Sequence, residues 1–389
     1  MYELLVKSGT VIDPAQGIHD QRDIGISQGK IAALTGDIAP SEAKKVIDAR
    51  GKIVTPGLID IHAHVAGGIV NMASTPDECG VLSGVTTVSD PGAIGYANFA
   101  DFRKFIIPQA RTDIFCFLHM CSTGFAVLPE IYSWDNIDPE AILRTIEKNR
   151  DIIKGIKIRA IGALMQNLGL EAIRVTKKVA TEAGLPIMIH LGIDAGETVP
   201  EDIISAFMSE MLSLLDKGDI LTHFFTWKAG GVIKPDGSVL PELKEAIRRG
   251  VALDATHVGT MWNFEVVKKG LEQGMLPTTI STDLTSLTPD LGPLLGLTSA
   301  MSRFFIAGLT LDQVIEMTTI NPARVLGEEP RRGSLGKGMP ADVSILELTE
   351  GDFSFFEGIT DKAVKGNRQL VPKLTIKSGV EIEAQPRFK

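Results

Sequence analysis

Residues 58–64 read LIDIHAH, an apolar run that ends in His62 and His64. Side chains two apart on a strand share a face, so both imidazoles leave the same side of one strand at its carboxyl end. Two neutral imidazoles held that close suit a divalent metal. The alternative is two unconnected histidines on a turn. Other apolar runs close on similar groups. GIKIRA (155–160) carries Lys157 and Arg159, LPIMIH (185–190) ends in His190, and DILTH (219–223) ends in His223. VALDATH (251–257) ends in His257 and TTISTD (278–283) ends in Asp283. Any one strand-end histidine is ordinarily a packed residue. Five metal-type ligands, His62, His64, His190, His223 and Asp283, and the lysine Lys157 in one series argue for a shared centre.

The elements that must position these groups alternate. GVTTVSD (84–90) and TDIFCFLHMC (112–121) complete a set of eight strand-like runs. Helical patterns lie between them, and LEAIRVTKKVATEAG (170–184) is the clearest, apolar at helical spacing and closed by Gly184. Eight βα units at intervals of about 30 residues predict a parallel sheet closed into a (β/α)8 TIM barrel, an α/β fold. Active sites of such barrels lie at the carboxyl ends of the strands, where these side chains fall. Residues 1–54 and 336–389 are β-rich. They are expected to pair into a small discontinuous β-sandwich domain flanking a barrel over 55–335.

Composition narrows the function. A formal net charge of −9 over 389 residues argues against a nucleic-acid surface and against attraction to anionic membranes. No apolar run reaches the length of a membrane span, and no secretory leader is visible. Cys79, Cys116 and Cys121 cannot all pair and show no CxxC spacing. They fit a reducing compartment. The expectation is a soluble cytoplasmic protein with no nucleic-acid or membrane partner. Barrels of this size often form homo-oligomers.

TPGLIDIHAH, PIMIH, DILTH, TISTD and the exit segment GSLGKGMPADVSIL together resemble the amidohydrolase superfamily of metal-dependent hydrolases, over nearly the whole chain. The resemblance implies two divalent ions. His62 and His64 would hold one of them with Asp283, and His190 and His223 the other. Lys157 would bridge them as an N6-carboxylysine. Zinc is the default for these ligands, with Mn2+, Fe2+ or Co2+ as alternatives. An ammonium offers a metal no lone pair. A buried lysine with a depressed pKa, however, can react with carbon dioxide as the neutral amine. Lys154 competes for this role, but odd spacing puts it on the opposite strand face. The implied mechanism is hydrolysis by a metal-activated water, with Asp283 as general base and then general acid.

Substrate is less legible. His64 is followed by Val65 and Ala66, where hydantoinases and dihydroorotases commonly have HxHxR. Lys157 argues against the mononuclear deaminases. GIKIRA and DATHVGTMWNF look most similar to the deacetylase-like branch, which implies a small acylated substrate, an N-acetyl amino acid or O-acetyl hydroxy acid. Cyclic amide hydrolysis is the second reading, and a non-catalytic scaffold on this fold is a third. Arg159 is the candidate for a substrate carboxylate or else a salt bridge locking its strand. His257 and Asn263 are candidate substrate contacts, and Asn263 could equally cap the following helix. His119 reads as a packed histidine.

Overall fold

The structure is a computed structural model, and it describes residues 1–194, 196–234, 236–256, 261–288, 295–357 and 362–386. The first strands are β1 (Leu4–Asp13), β2 (Ile18–Ser27), β3 (Lys30–Thr35), β4 (Val46–Asp48) and β5 (Ile53–Pro56). The next eight are β6 (Leu58–Asp60), β7 (Val85–Asp90), β8 (Asp113–His119), β9 (Ile153–Arg159), β10 (Ile187–His190), β11 (Ile220–Thr222), β12 (Ala252–Thr256) and β13 (Thr279–Ser281). The last are β14 (Val343–Phe356), β15 (Ala363–Lys377) and β16 (Val380–Glu383).

Strands β6 to β13 pair in sequence order and every pair is parallel. The ring is completed by single contacts rather than a ladder. At the mouth, Asp283 donates its backbone N–H to His62 O at 2.6 Å and His64 donates to Leu284 O at 2.9 Å. At the other end, Ile59 N bonds Thr318 O and Ile280 N bonds Met317 O, so residues 317–318 fill the seam between β6 and β13. The seam therefore sets Asp283 directly beside His62.

Helices pack outside the strands as their sequences require. The helix Leu170–Ala183 buries Ala172, Ile173, Thr176, Val179, Ala180 and Ala183, one face at helical spacing. Gly184 ends it in a left-handed conformation (φ 67°) whose N–H returns to Ala180 O and Thr181 O. Ile59, Ile61, Phe115, Phe117, Met188 and Ile220 form a separate apolar cluster with Ala323 and Leu326 from the segment after the last barrel strand.

Strands from both chain ends lie in one mixed sheet, ordered β16-β15-β14-β5-β1-β2-β3 with β4 on β1. Antiparallel pairing of β14 with β5 joins the two ends. Leu4, Val6, Ile24, Ile26, Val343, Ile345 and Ile376 form the core of this sheet. Among the described residues, no helix is long and apolar enough to cross a membrane.

Candidate metal centre

His62 and His64 follow β6, and Asp283 follows β13. His62 Nε2 lies 3.2 Å and His64 Nε2 3.0 Å from Asp283 Oδ1, while His223 Nε2 lies 3.4 Å from Asp283 Oδ2. The His190 and His223 rings stand 4.2 Å apart between centroids. His62, His64, Lys157, Arg159, His190 and Asp283 all line one cavity of about 330 Å³. The ligand set read from the sequence is thus gathered at one mouth. Lys154 is elsewhere, paired with Glu328 at 2.6 Å.

Backbone geometry contributes to the gathering. His223 (φ 61°) and Asp283 (φ 54°) both occupy the left-handed region, uncommon for residues with a Cβ. Such conformations cost of order 1–3 kcal/mol and persist where surrounding structure imposes them. Both turn the chain sharply at a strand end.

Hydrogen bonds fix the imidazoles. Thr222 donates its hydroxyl to Asp254 Oδ2 at 2.8 Å and meets His62 Nδ1 at 2.9 Å. With its proton committed to the carboxylate, Thr222 Oγ1 accepts from His62 Nδ1–H. That tautomer leaves His62 Nε2 bare and facing Asp283. His223 Nδ1 likewise meets Thr256 Oγ1 at 2.5 Å. Asp254 is fully buried and also accepts from Thr279 and Ser281, so it ties three strands under the site.

The site's electrostatics follow from burial. Desolvation pushes the Asp283 carboxyl upward, but in the metal-free site hydrogen-bond donation and positive charge from the His62 and His64 side, where a cation would lie, outweigh it and hold it well below its ordinary value. Burial pulls His190 and His223 well below the usual imidazole range, so both stay neutral and keep a lone pair. Lys157, 1 % exposed, is brought down to about 7, chiefly by burial, with Asp283 pulling it back upward and Arg159 adding to the fall.

These residues fit divalent metals. Among the described residues, buried His64 Nδ1, His190 Nε2 and His223 Nε2 have no hydrogen-bond partner. A bare His223 Nε2 only 3.4 Å from Asp283 Oδ2 repels that oxygen unless a cation lies between them. Among the described residues, His62, His64 and Asp283 bring one ligand atom each within 4.8 Å of one another.

Several residues that the sequence reading did not single out support the centre. Gly92 (φ 99°) lies against Lys157, and a Cβ there would sit 2.7 Å from Lys157 Cγ. Thr222 and Asp254 orient His62 as described. An acid inside the apolar run VALDATH was the available signal for Asp254. Lys228, on the segment after β11, also lines the cavity.

For two candidate substrate contacts the structure shows the alternative that the sequence also offered. Arg159 lines the cavity, but its guanidinium is shared between Glu130 (3.1 Å) and Asp194 (2.8 Å), the salt-bridge alternative. Asn263 caps a helix: its side chain accepts from Val266 N at 3.1 Å and starts the helix Phe264–Glu272. It is absent from the described cavity wall. His257 lies outside the described residues. His119 is fully buried at the end of β8, its Nδ1 accepting from Cys121 N at 3.0 Å.

The sequence matches the model of the amidohydrolase family over residues 53–382. A deacetylase of Agrobacterium fabrum is 32% identical over 364 residues, covering 92% of this chain and 86% of that protein. A deacetylase of Enterococcus faecalis is 28% identical, covering 97% of this chain and 98% of its own. Among solved structures, one described as a dihydroorotase superposes with a TM-score of 0.85 at 28% identity, covering 99% of this chain and all (100%) of its own.

Proposed function

The chain belongs to the amidohydrolase family, and within it we propose a deacetylase that hydrolyses the amide or ester bond of a small acylated substrate, an N-acetyl amino acid or O-acetyl hydroxy acid. The observation that carries this reading is the convergence of His62, His64 and His223 on Asp283, with Lys157 and His190 in the same cavity. The full-length similarity to deacetylases favours acyl transfer to water over deamination.

In this reading His62, His64 and Asp283 would hold one divalent metal, with zinc the default for such donors. His190 and His223 would hold a second. Lys157, as N6-carboxylysine, would offer an anionic oxygen donor to the pair. When bound, such metals acidify a water and polarise the scissile carbonyl. The protein's own part begins at Lys157. With a pKa near 7, much of the buried amine is neutral at neutral pH. Its lone pair attacks carbon dioxide, an N–C bond forms and one proton leaves, giving the anionic carbamate.

Asp283 is the proton carrier. Held well below the ordinary carboxyl range, it is ionised at neutral pH and ready to accept. It takes the proton of the attacking water as the acyl carbon becomes tetrahedral. It then gives that proton to the leaving nitrogen or oxygen as the bond to carbon breaks. The products are acetate and a free amine or hydroxyl. The Asp254–Thr222–His62 relay holds its imidazole still throughout. The cavity of about 330 Å³ admits only small substrates, and Met72, Phe125, Leu128, Met261 and Leu287 supply apolar wall.

Cyclic amide hydrolysis is the second reading, favoured by the likeness to the dihydroorotase structure. Against it, Val65 and Ala66 are fully buried where an HxHxR arginine would emerge. The test is a panel of N-acetyl D- and L-amino acids, O-acetyl hydroxy acids, dihydroorotate and hydantoins, on metal-loaded protein grown with bicarbonate. Turnover of open-chain acetyl substrates is the expected result. Activity confined to ring amides reverses the assignment.

A further inference from the structure

We infer that Lys228 anchors the substrate by its carboxylate, so that the enzyme selects acetyl compounds bearing a negative charge near the scissile bond. The inference deepens the deacetylase reading and rests on it.

Among the described residues, three cationic side chains line the cavity: Lys157, Arg159 and Lys228. Lys157 lies on the metal side and is buried among the ligands. Arg159 matches a carboxylate best by shape, but both terminal nitrogens of its fork are already engaged, and its Nε, the donor without a partner among the described residues, is buried. Nη1 bonds both oxygens of Glu130 at 3.1 and 3.3 Å, and Nη2 bonds both oxygens of Asp194 at 2.8 and 2.9 Å. Glu130 is itself buried, its side chain 1 % exposed, and needs that pairing. The guanidinium therefore clamps the segment after β8 to the segment after β10.

Lys228 differs. It is partly buried, and among the described residues its ammonium has no carboxylate within ion-pair distance and no hydrogen-bond acceptor. Its backbone N–H is held by Thr226 Oγ1 at 3.3 Å, just beyond His223. Burial depresses its pKa, the response of a cation that has lost water without gaining a partner, while Asp194 draws it back upward. A flexible ammonium accepts a carboxylate over a range of approach angles, which suits a point anchor in a site whose reacting bond is fixed by other groups.

The experiment compares an N-acetyl amino acid with its neutral carboxamide on the metal-loaded enzyme, in wild type, Lys228→Met and Lys228→Arg. Wild type is expected to prefer the acid by about 10- to 100-fold in kcat/KM, the range of a charge-assisted hydrogen bond. In Lys228→Met the preference falls to near unity, with the loss carried by KM for the acid. Lys228→Arg restores part of it. Binding of the same pair is measured by calorimetry, so the anchor is read without turnover. A preference that survives in Lys228→Met, or its absence in wild type, overturns the inference while deacetylation stands. Binding that depends on Lys228 without any hydrolysis sinks the deacetylase reading instead and leaves the anchor in place. Should Arg159→Met abolish the preference with its fold intact by circular dichroism while Lys228→Met keeps it, the anchor is Arg159.

Discussion

Replacing Lys157 by methionine should change how the metal-free protein responds to pH. In the folded chain Lys157 gives up its proton near pH 7, because burial disfavours the ammonium. In the unfolded chain it keeps the proton to about 10.4, the ordinary lysine value. Between those values the unfolded state binds more protons, so stability rises with pH. The slope is about 1.4 kcal/mol per pH unit for one such group. From pH 7 to pH 9.5, Lys157 should therefore add about 3 kcal/mol to the wild-type apoprotein. Below pH 7 the full penalty is present and the contribution is flat. Lys157→Met fills a similar volume without a titrating group and should lack this gain. The assay is urea unfolding of both proteins at the two pH values, chelated and in carbon-dioxide-free buffer. A gain of about 3 kcal/mol is large beside a typical total of about 5–15 kcal/mol. Identical pH slopes in the two proteins would refute the depressed pKa and the argument that the amine is reactive toward carbon dioxide.

Two other substitutions separate chemistry from architecture. Asp283→Asn removes the proton acceptor while keeping the size of the side chain. kcat should fall by about 10³-fold or more with the circular dichroism spectrum unchanged, and retained turnover in a discontinuous acetate-release assay would remove Asp283 from proton transfer. Gly92→Ala places a Cβ 2.7 Å from Lys157 Cγ at a φ of 99°. It should destabilise by about 1–3 kcal/mol and lower the fraction of carboxylated chain seen by intact mass under native conditions. An undisturbed stability and mass would show that the Lys157 stem has room to move.

Much of the barrel could be read from the chain, because each of its strands is an apolar run that ends abruptly in a polar group. His190 after PIMI and Asp283 after TIST are examples, and Lys157 was separable from Lys154 by strand alternation alone. What escaped the sequence depends on contacts between distant segments. The partners of Arg159 are Glu130 and Asp194, on separate connections after β8 and β10. Nothing in GIKIRA reveals that its arginine is already paired. Lys228 lies in a loop without periodicity, so no pattern pointed it at the cavity. Asn263 was ambiguous for a definite reason: an Asn before an amphipathic stretch is both a good cap and a good ligand, and here the backbone N–H of Val266 is its partner. The left-handed turns at His223 and Asp283 have no sequence signature, since neither position carries the glycine that such a conformation favours.

Anomalous diffraction from crystals of the metal-loaded protein, collected at the zinc edge, bears on the whole mechanism at once. Two peaks should appear, one held by His62, His64 and Asp283 and one by His190 and His223, with continuous density extending from Lys157 Nζ toward both. A mouth without anomalous signal, or an unmodified Lys157 turned away from it, would contradict the hydrolytic centre described above.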